Sequence, residues 1–161
     1  MNAIRPNVLA IDDDHDAADT MAILLKCWGY NATAFYSGFT ALAAVRVKQP
    51  TAMLVDLGMV PMNGYDLVAQ VRTIQSSERI LIIAISGHVS EAHQSRARDL
   101  GIYHYFFKPT DLCGLELLLL RLLCKPIPIY DNTQWQSSIS GRDLTALTPR
   151  REMTSSLSGI S

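Results

Sequence analysis

The sequence has few features that would crosslink a small protein or carry it into a membrane. Three cysteines among 161 residues are an odd number, and Cys27, Cys113 and Cys124 lack the paired spacing of a metal site. We therefore predict buried free thiols in a reducing, cytoplasmic environment. Glu116 interrupts the most leucine-rich run, so no apolar run reaches the length that spans a bilayer. We expect no membrane partner.

The chain also lacks an excess of charge of either sign, since 14 basic and 15 acidic residues leave a formal net charge of -1. Nucleic acids and membrane surfaces attract clearly basic faces, so the composition predicts protein partners and no DNA binding by this chain itself. Apolar residues make up 48% of the sequence, which suffices for one core. After Pro126 the sequence is rich in Ser and Thr and has no sustained periodicity. We predict one domain over 1–125 and a disordered tail over 126–161, with docking of the tail through Trp135 as an alternative.

Within residues 1–125, short apolar runs alternate with longer amphipathic stretches. The apolar runs cover residues 8–11, 32–36, 52–55, 80–85 and 102–107, and the amphipathic stretches cover about 14–28, 38–48, 64–75, 90–100 and 111–124. Strict alternation of strands and helices predicts an α/β, doubly wound, five-stranded parallel sheet with helices on both faces. Ligands of such sheets bind beyond the carboxyl ends of the strands.

Polar residues follow four of these five predicted strands. Asp12 and Asp13 follow the first strand, Asp56 ends the third, Ser86 the fourth and Lys108 the fifth. Crowded carboxylates repel one another unless a hard cation such as Mg²⁺ binds among them. A phosphoryl group on Asp56 would then be neutralised by the metal, by the Lys108 ammonium and by the Ser86 hydroxyl. The pattern predicts a phosphoryl acceptor at this edge of the sheet.

In this combination and order, these residues resemble the receiver domain of bacterial two-component response regulators. The match rests on the acidic pair, the loop DLGMVPMNG that begins at Asp56, Ser86 in AISG, and Tyr105 before Lys108 in YFFKP. It extends over roughly 6–124. The resemblance implies a sheet of flavodoxin-like order 2-1-3-4-5.

The resemblance also implies a role for each matched position. Asp56 would accept a phosphoryl group from a phosphohistidine on a sensor histidine kinase or a histidine phosphotransfer protein. Mg²⁺ would bind Asp13, Asp56 and the backbone carbonyl of Gly58, with Asp12 acting through a metal-bound water. Lys108 and Ser86 would contact the phosphoryl group. Such a protein catalyses only its own phosphorylation and slow dephosphorylation, so it is not an enzyme in the usual sense.

The resemblance also implies which residues read out phosphorylation and which ones set the lifetime of the phosphorylated state. Ser86 and Tyr105 would form the switch that changes partner binding, and Gly58 and His88 occupy the two variable positions that modulate hydrolysis of the acyl phosphate. One departure from the family lies in the loop after Asp56. The family usually has proline directly after the position of Met59, whereas Val60 precedes the proline here.

Three other interpretations stay open at this point. Asp12 and Asp14 form a D-x-D pattern after a strand, as in phosphohydrolases of the haloacid-dehalogenase type, although Asp16 fills the place where that family has Thr or Val. The second interpretation is an interaction module that does not use phosphate. For Asp14 alone, a helix cap is the simpler role.

The last predicted helix has more apolar residues than one buried stripe requires. We expect four leucines to face the sheet and the others to point partly outward, which predicts a homodimer or a partner surface through this helix. The four predicted to face the sheet are Leu112, Leu115, Leu119 and Leu122.

Overall fold

Strands and helices alternate along the part of the chain that the structure describes. This computed structural model describes residues 5–87 and 91–123, and for 91–94 only the backbone. The strands are β1 (Asn7–Ile11), β2 (Asn31–Phe35), β3 (Ala52–Asp56), β4 (Leu81–Ser86) and β5 (His104–Phe107). The helices are α1 (His15–Cys27), α2 (Gly38–Val47), α3 (Gly64–Arg72), α4 (Glu91–Asp99) and α5 (Leu112–Leu123), and a 3₁₀ helix covers Ser77–Arg79.

The five strands pair in parallel in the order β2-β1-β3-β4-β5, which confirms the predicted fold class and strand order. The central strand β3 is buried along its whole length because helices cover both faces of the sheet. Met53 and Val55 face a core shared with α2, α3 and α4. Leu54 faces a second core shared with α1 and α5. Successive side chains of a strand therefore belong to opposite faces of the sheet.

Two boundaries differ from the sequence prediction by more than one residue. Helix α3 ends at Arg72, three residues early, because the next two N–H groups, of Thr73 and Ile74, donate three residues back, to Gln70 and Val71, and so form a tighter turn. Strand β5 begins at His104, although the apolar run starts at Ile102. The Ile102 N–H donates to the Ala97 carbonyl at 2.9 Å and closes the end of α4, so this buried residue belongs to the turn.

The prediction that the cysteines are buried is wrong for two of them. Cys27 and Cys113 are free but exposed, because each lies on the side of its helix that faces away from the sheet. Cys124 and the predicted tail over 126–161 lie outside the described residues. Among the described helices, none combines the length and the apolar character needed to cross a membrane.

Helix α5 packs through a somewhat different face from the predicted one. Leu115 and Leu119 are fully buried, as expected, but Leu112 is 44% exposed and Leu122 is 42% exposed. The half-buried Leu118 and Leu123 complete the packed face. A helix buries a stripe of residues at i, i+3, i+4 and i+8, and counting from Leu115 this spacing selects the four packed leucines. Leu112 and Leu122 lie at the margins of the stripe.

Candidate functional site

Three aspartates meet at the carboxyl ends of β1 and β3. Asp56 is the last residue of β3, and Asp12 and Asp13 directly follow β1. Because these strands are paired in parallel, their carboxyl ends lie at the same edge of the sheet. One carboxylate oxygen of each aspartate lies within 4.8 Å of the other two. Asp12 and Asp56 are each 8% exposed, whereas Asp13 is exposed.

Lys108 brings a positive charge to two of the three carboxylates. Its Nζ lies 2.7 Å from Oδ2 of Asp12 and 2.9 Å from Oδ2 of Asp56. Burial acts to lower the pKa of Lys108, but the hydrogen bonds to Asp12 and Asp56 outweigh it and raise that pKa above its ordinary 10.5. One ammonium among three carboxylates leaves the cluster with an excess of negative charge.

Each carboxylate also accepts one backbone N–H. Asp56 Oδ1 accepts from Gly58 at 2.9 Å, and Asp12 Oδ1 accepts from Asp14 at 3.0 Å. Asp13 Oδ2 accepts from the Val60 N–H at 3.0 Å, a contact that the sequence analysis did not predict. The only sequence signal for it is the displaced proline, which leaves residue 60 with an N–H to donate.

Asp14 caps α1 and does not belong to the cluster of three aspartates. Its Oδ1 accepts the backbone N–H of Asp16 at 3.0 Å and of Ala17 at 3.2 Å, which confirms the helix-cap interpretation. The D-x-D pattern therefore does not place both of its carboxylates within the cluster. This arrangement disfavours the haloacid-dehalogenase alternative.

The predicted switch pair lies on the other face of the sheet from Lys108 and its partners. Ser86 is buried at the end of β4, and its carbonyl accepts the Lys108 N–H at 3.0 Å. Tyr105 is paired in register with Ala84, so Tyr105 and Ser86 share one face. Burial raises the pKa of Tyr105, and among the described residues its buried hydroxyl has no hydrogen-bond partner.

Of the two predicted modulating positions, the structure describes only Gly58. A Cβ built on Gly58 would lie 3.5 Å from Asp56 Oδ1, which is ordinary contact distance. A side chain at residue 58 would therefore stand directly against Asp56, and glycine leaves that approach open. His88 lies outside the described residues, so its role stays a prediction.

A cavity of about 300 Å³ adjoins the acidic cluster on the α1 side of the sheet. Asp12, Asp56 and Lys108 line its polar end, while Met21 and Thr110 are among the residues that line the remainder. The cavity gives an approach to Asp56 from the surface between α1 and the loop that follows β5.

Comparison with known proteins gives a consistent result over the described part of the chain. The sequence model of the response regulator receiver domain matches residues 8–119. The transcriptional regulatory protein ZraR of Salmonella typhimurium strain LT2 is 32% identical over 117 residues, which is 73% of this chain and 26% of that protein. This chain thus spans about a quarter of the length of that relative.

Solved structures show the same fold. A response regulator receiver protein from Pseudomonas putida superposes with a TM-score of 0.69 at 28% identity, over 74% of this chain and 98% of that one. The receiver domain of the sensor histidine kinase PA1611 from Pseudomonas aeruginosa PAO1 has a TM-score of 0.66 at 21% identity, over 73% and 97% of the two chains. That structure has a magnesium ion coordinated in its active-site cleft.

Proposed function

Because this chain belongs to the response regulator receiver domain family, we propose that Asp56 accepts a phosphoryl group from a phosphohistidine of a sensor histidine kinase or a histidine phosphotransfer protein. One observation carries the proposal. Asp56 ends the central strand within a cluster of carboxylates, and the Lys108 ammonium contacts it at 2.9 Å. An acceptor carboxylate and a cation for the transferred charge are thus in direct contact.

The transfer needs little chemistry from the protein beyond position and charge. A carboxylate oxygen of Asp56 attacks phosphorus, the P–N bond breaks, and its electron pair returns to the ring nitrogen of the donor. The donor ring leaves as a neutral imidazole when its other nitrogen carries a proton. Asp56 loses no proton because it reacts as a carboxylate. Lys108 offsets the charge of the phosphoryl oxygens, and the Gly58 N–H orients Asp56 through Oδ1.

The residues of the cluster fit Mg²⁺. Three carboxylates lie within 4.8 Å of one another, a single ammonium contacts two of them, and hard oxygen ligands of this kind suit Mg²⁺. Asp12, Asp13, Asp56 and the Gly58 carbonyl would hold it, with Asp12 acting through a bound water. When bound, Mg²⁺ supplies the positive charge that the cluster lacks. The ion in the Pseudomonas aeruginosa receiver domain supports this assignment.

We further propose that phosphorylation is read out on the opposite face of the sheet. A backbone hydrogen bond joins Ser86 to Lys108, whose ammonium contacts Asp56, so a phosphoryl group at Asp56 would affect Ser86 through Lys108. Tyr105 shares the face of Ser86 and has a buried hydroxyl that could follow a change there. The signalling family is not one of classical enzymes, and self-catalysed phosphorylation followed by slow hydrolysis is our proposal for this chain.

Partner binding would use protein surfaces near this switch. Leu117 is 68% exposed and Leu120 is 43% exposed on α5, which supports the earlier prediction of a homodimer or a protein partner at this helix.

The test is incubation with acetyl phosphate and Mg²⁺, followed by intact-mass measurement. Wild type should gain the mass of one phosphoryl group, and the gain should disappear in Asp56→Asn and after addition of EDTA. Asp111→Asn is the matched control, because asparagine can accept the same Gly114 N–H and Asp111 lies outside both the cluster and the cavity. This control should be phosphorylated like wild type. An equal gain of mass in Asp56→Asn would contradict the proposal.

A further inference from the structure

Asp13 is held differently from the two carboxylates beside it. Asp12 and Asp56 are buried and paired with Lys108, whereas Asp13 is exposed and makes no ion pair among the described residues. Its one hydrogen bond within that part of the chain comes from the Val60 N–H, at 3.0 Å to Oδ2. This bond joins the loop after β1 to the loop after β3, across 47 residues of sequence.

The donor exists because residue 60 is not proline. Proline has no backbone N–H, and in this chain the proline of the loop comes one residue later, at Pro61. The Val60 side chain is 74% exposed, so its contribution to the site comes from its backbone. The loop before it is fixed, because Met59 is almost fully buried in the core.

We propose that Val60 is a positioning residue whose N–H holds the Asp13 carboxylate toward Asp12 and Asp56. The inference rests on the proposed Mg²⁺ site. Each carboxylate oxygen has two lone pairs, so a single N–H on Oδ2 leaves Oδ1 and one lone pair of Oδ2 for a cation. An exposed aspartate without this bond would occupy several rotamers, and Mg²⁺ binding would have to select one of them.

The first measurement is Mg²⁺ affinity by isothermal titration calorimetry. Two variants remove the donor: Val60→Pro, and a backbone ester at residue 60 that retains the valine side chain. Val60→Ala keeps the N–H and serves as the conservative variant. Since a hydrogen bond to a charged group is at stake, the two donor-free variants should bind Mg²⁺ about tenfold more weakly. Val60→Ala should bind as wild type does.

Phosphorylation by acetyl phosphate gives a second readout that separates positioning from simple stability. The donor-free variants should need about tenfold more Mg²⁺ than wild type to reach half of their own maximal rate. If the phosphorylation rate of a variant stayed low even at high Mg²⁺ concentration, the loss of rate would come from a damaged fold. Unchanged Mg²⁺ affinity in the backbone-ester variant would overturn the inference.

Hydrogen exchange of the metal-free protein tests the contact itself. The Val60 amide should exchange slowly in wild type and about tenfold faster in Asp13→Ala, while the Gly58 amide, bonded to Asp56, should keep its rate. Equal Val60 exchange in both proteins would also overturn the inference. If wild type bound no Mg²⁺, the proposed function would fail, and the exchange experiment would still decide whether Val60 holds Asp13.

Discussion

Replacing Lys108 by methionine should destabilise the metal-free protein, because the change removes the one cation that contacts the acidic cluster among the described residues. Methionine keeps much of the length and volume of the lysine stem, so packing around residue 108 changes little. The Lys108 Nζ donates to Asp12 at 2.7 Å and to Asp56 at 2.9 Å. Without it, two carboxylates that are each 8% exposed face one another with no ammonium between them.

The magnitude follows from these two contacts. Hydrogen bonds to charged groups contribute about 1.5–3 kcal/mol each in buried sites. The Lys108 side chain is 37% exposed, so solvent screens part of this interaction. We therefore expect the free energy of unfolding to fall by about 2 kcal/mol in Lys108→Met. Lys48→Met is the matched control at an exposed position, and it should change stability by less than about 0.5 kcal/mol.

The pH dependence has a definite sign. The pKa of Lys108 is raised in the folded protein, so its contribution to stability is complete below its ordinary pKa of 10.5. That contribution is lost as the pH rises through the folded pKa, where the ammonium deprotonates. The stability difference between wild type and Lys108→Met should therefore be constant from neutral pH up to about 10.5 and should shrink above it.

Urea unfolding monitored by circular dichroism measures these differences, first in EDTA and then in Mg²⁺. Because Mg²⁺ brings positive charge to the same carboxylates, it should stabilise Lys108→Met more than wild type. A variant as stable as wild type in EDTA would refute the argument that Lys108 balances the cluster. A stability difference that grows above pH 10.5 would refute the assigned direction of the pKa shift.

Two further substitutions test residues that stabilise the structure around the site. The Arg72 guanidinium donates to four backbone carbonyls, so Arg72→Met should lower the free energy of unfolding by about 3 kcal/mol, whereas the exposed Arg46→Met should not. These carbonyls belong to Ser77, Ile80, Leu100 and Gly101. A Cβ on Gly64 would lie 2.5 Å from the Asp56 carbonyl oxygen, so Gly64→Ala should cost about 2 kcal/mol in the same urea assay. Gly87→Ala, which meets nothing within 4 Å, is its control, and equal stabilities within either pair would contradict the prediction for that pair.

The fold was predictable because it depends on the period of apolar residues over many positions. The five apolar runs became the five strands, and errors of a residue or two at their ends did not alter the topology. The errors that did occur have local causes. Ile102 is buried like a strand residue, but its N–H closes the turn after α4, and apolar character reports burial without reporting hydrogen bonding. The exposed Cys27 shows the converse error, since a residue type that is usually buried can lie on an outer helix face.

The parallel sheet explains why the strand-end residues could be assembled from sequence while the Val60 contact could not. Parallel strands bring their carboxyl ends to one edge whatever the loops do, so Asp12, Asp56 and Lys108 were expected to meet. The bond from Val60 to Asp13 depends on the path of a loop and on a backbone donor. Side-chain patterns carry no direct information about either.

The alternation of side chains across the sheet separates the chemistry of this site from its readout. Lys108 continues the face of Phe106 and contacts Asp12 and Asp56 on the side of α1 and α5. Tyr105 packs with the core on the side of α2, α3 and α4. A phosphoryl group bound on one side can affect the other only through residues at the strand ends. The hydrogen bond from the Lys108 N–H to the Ser86 carbonyl joins these faces at the strand ends, so a change at Asp56 has a short covalent and hydrogen-bonded path to the predicted switch.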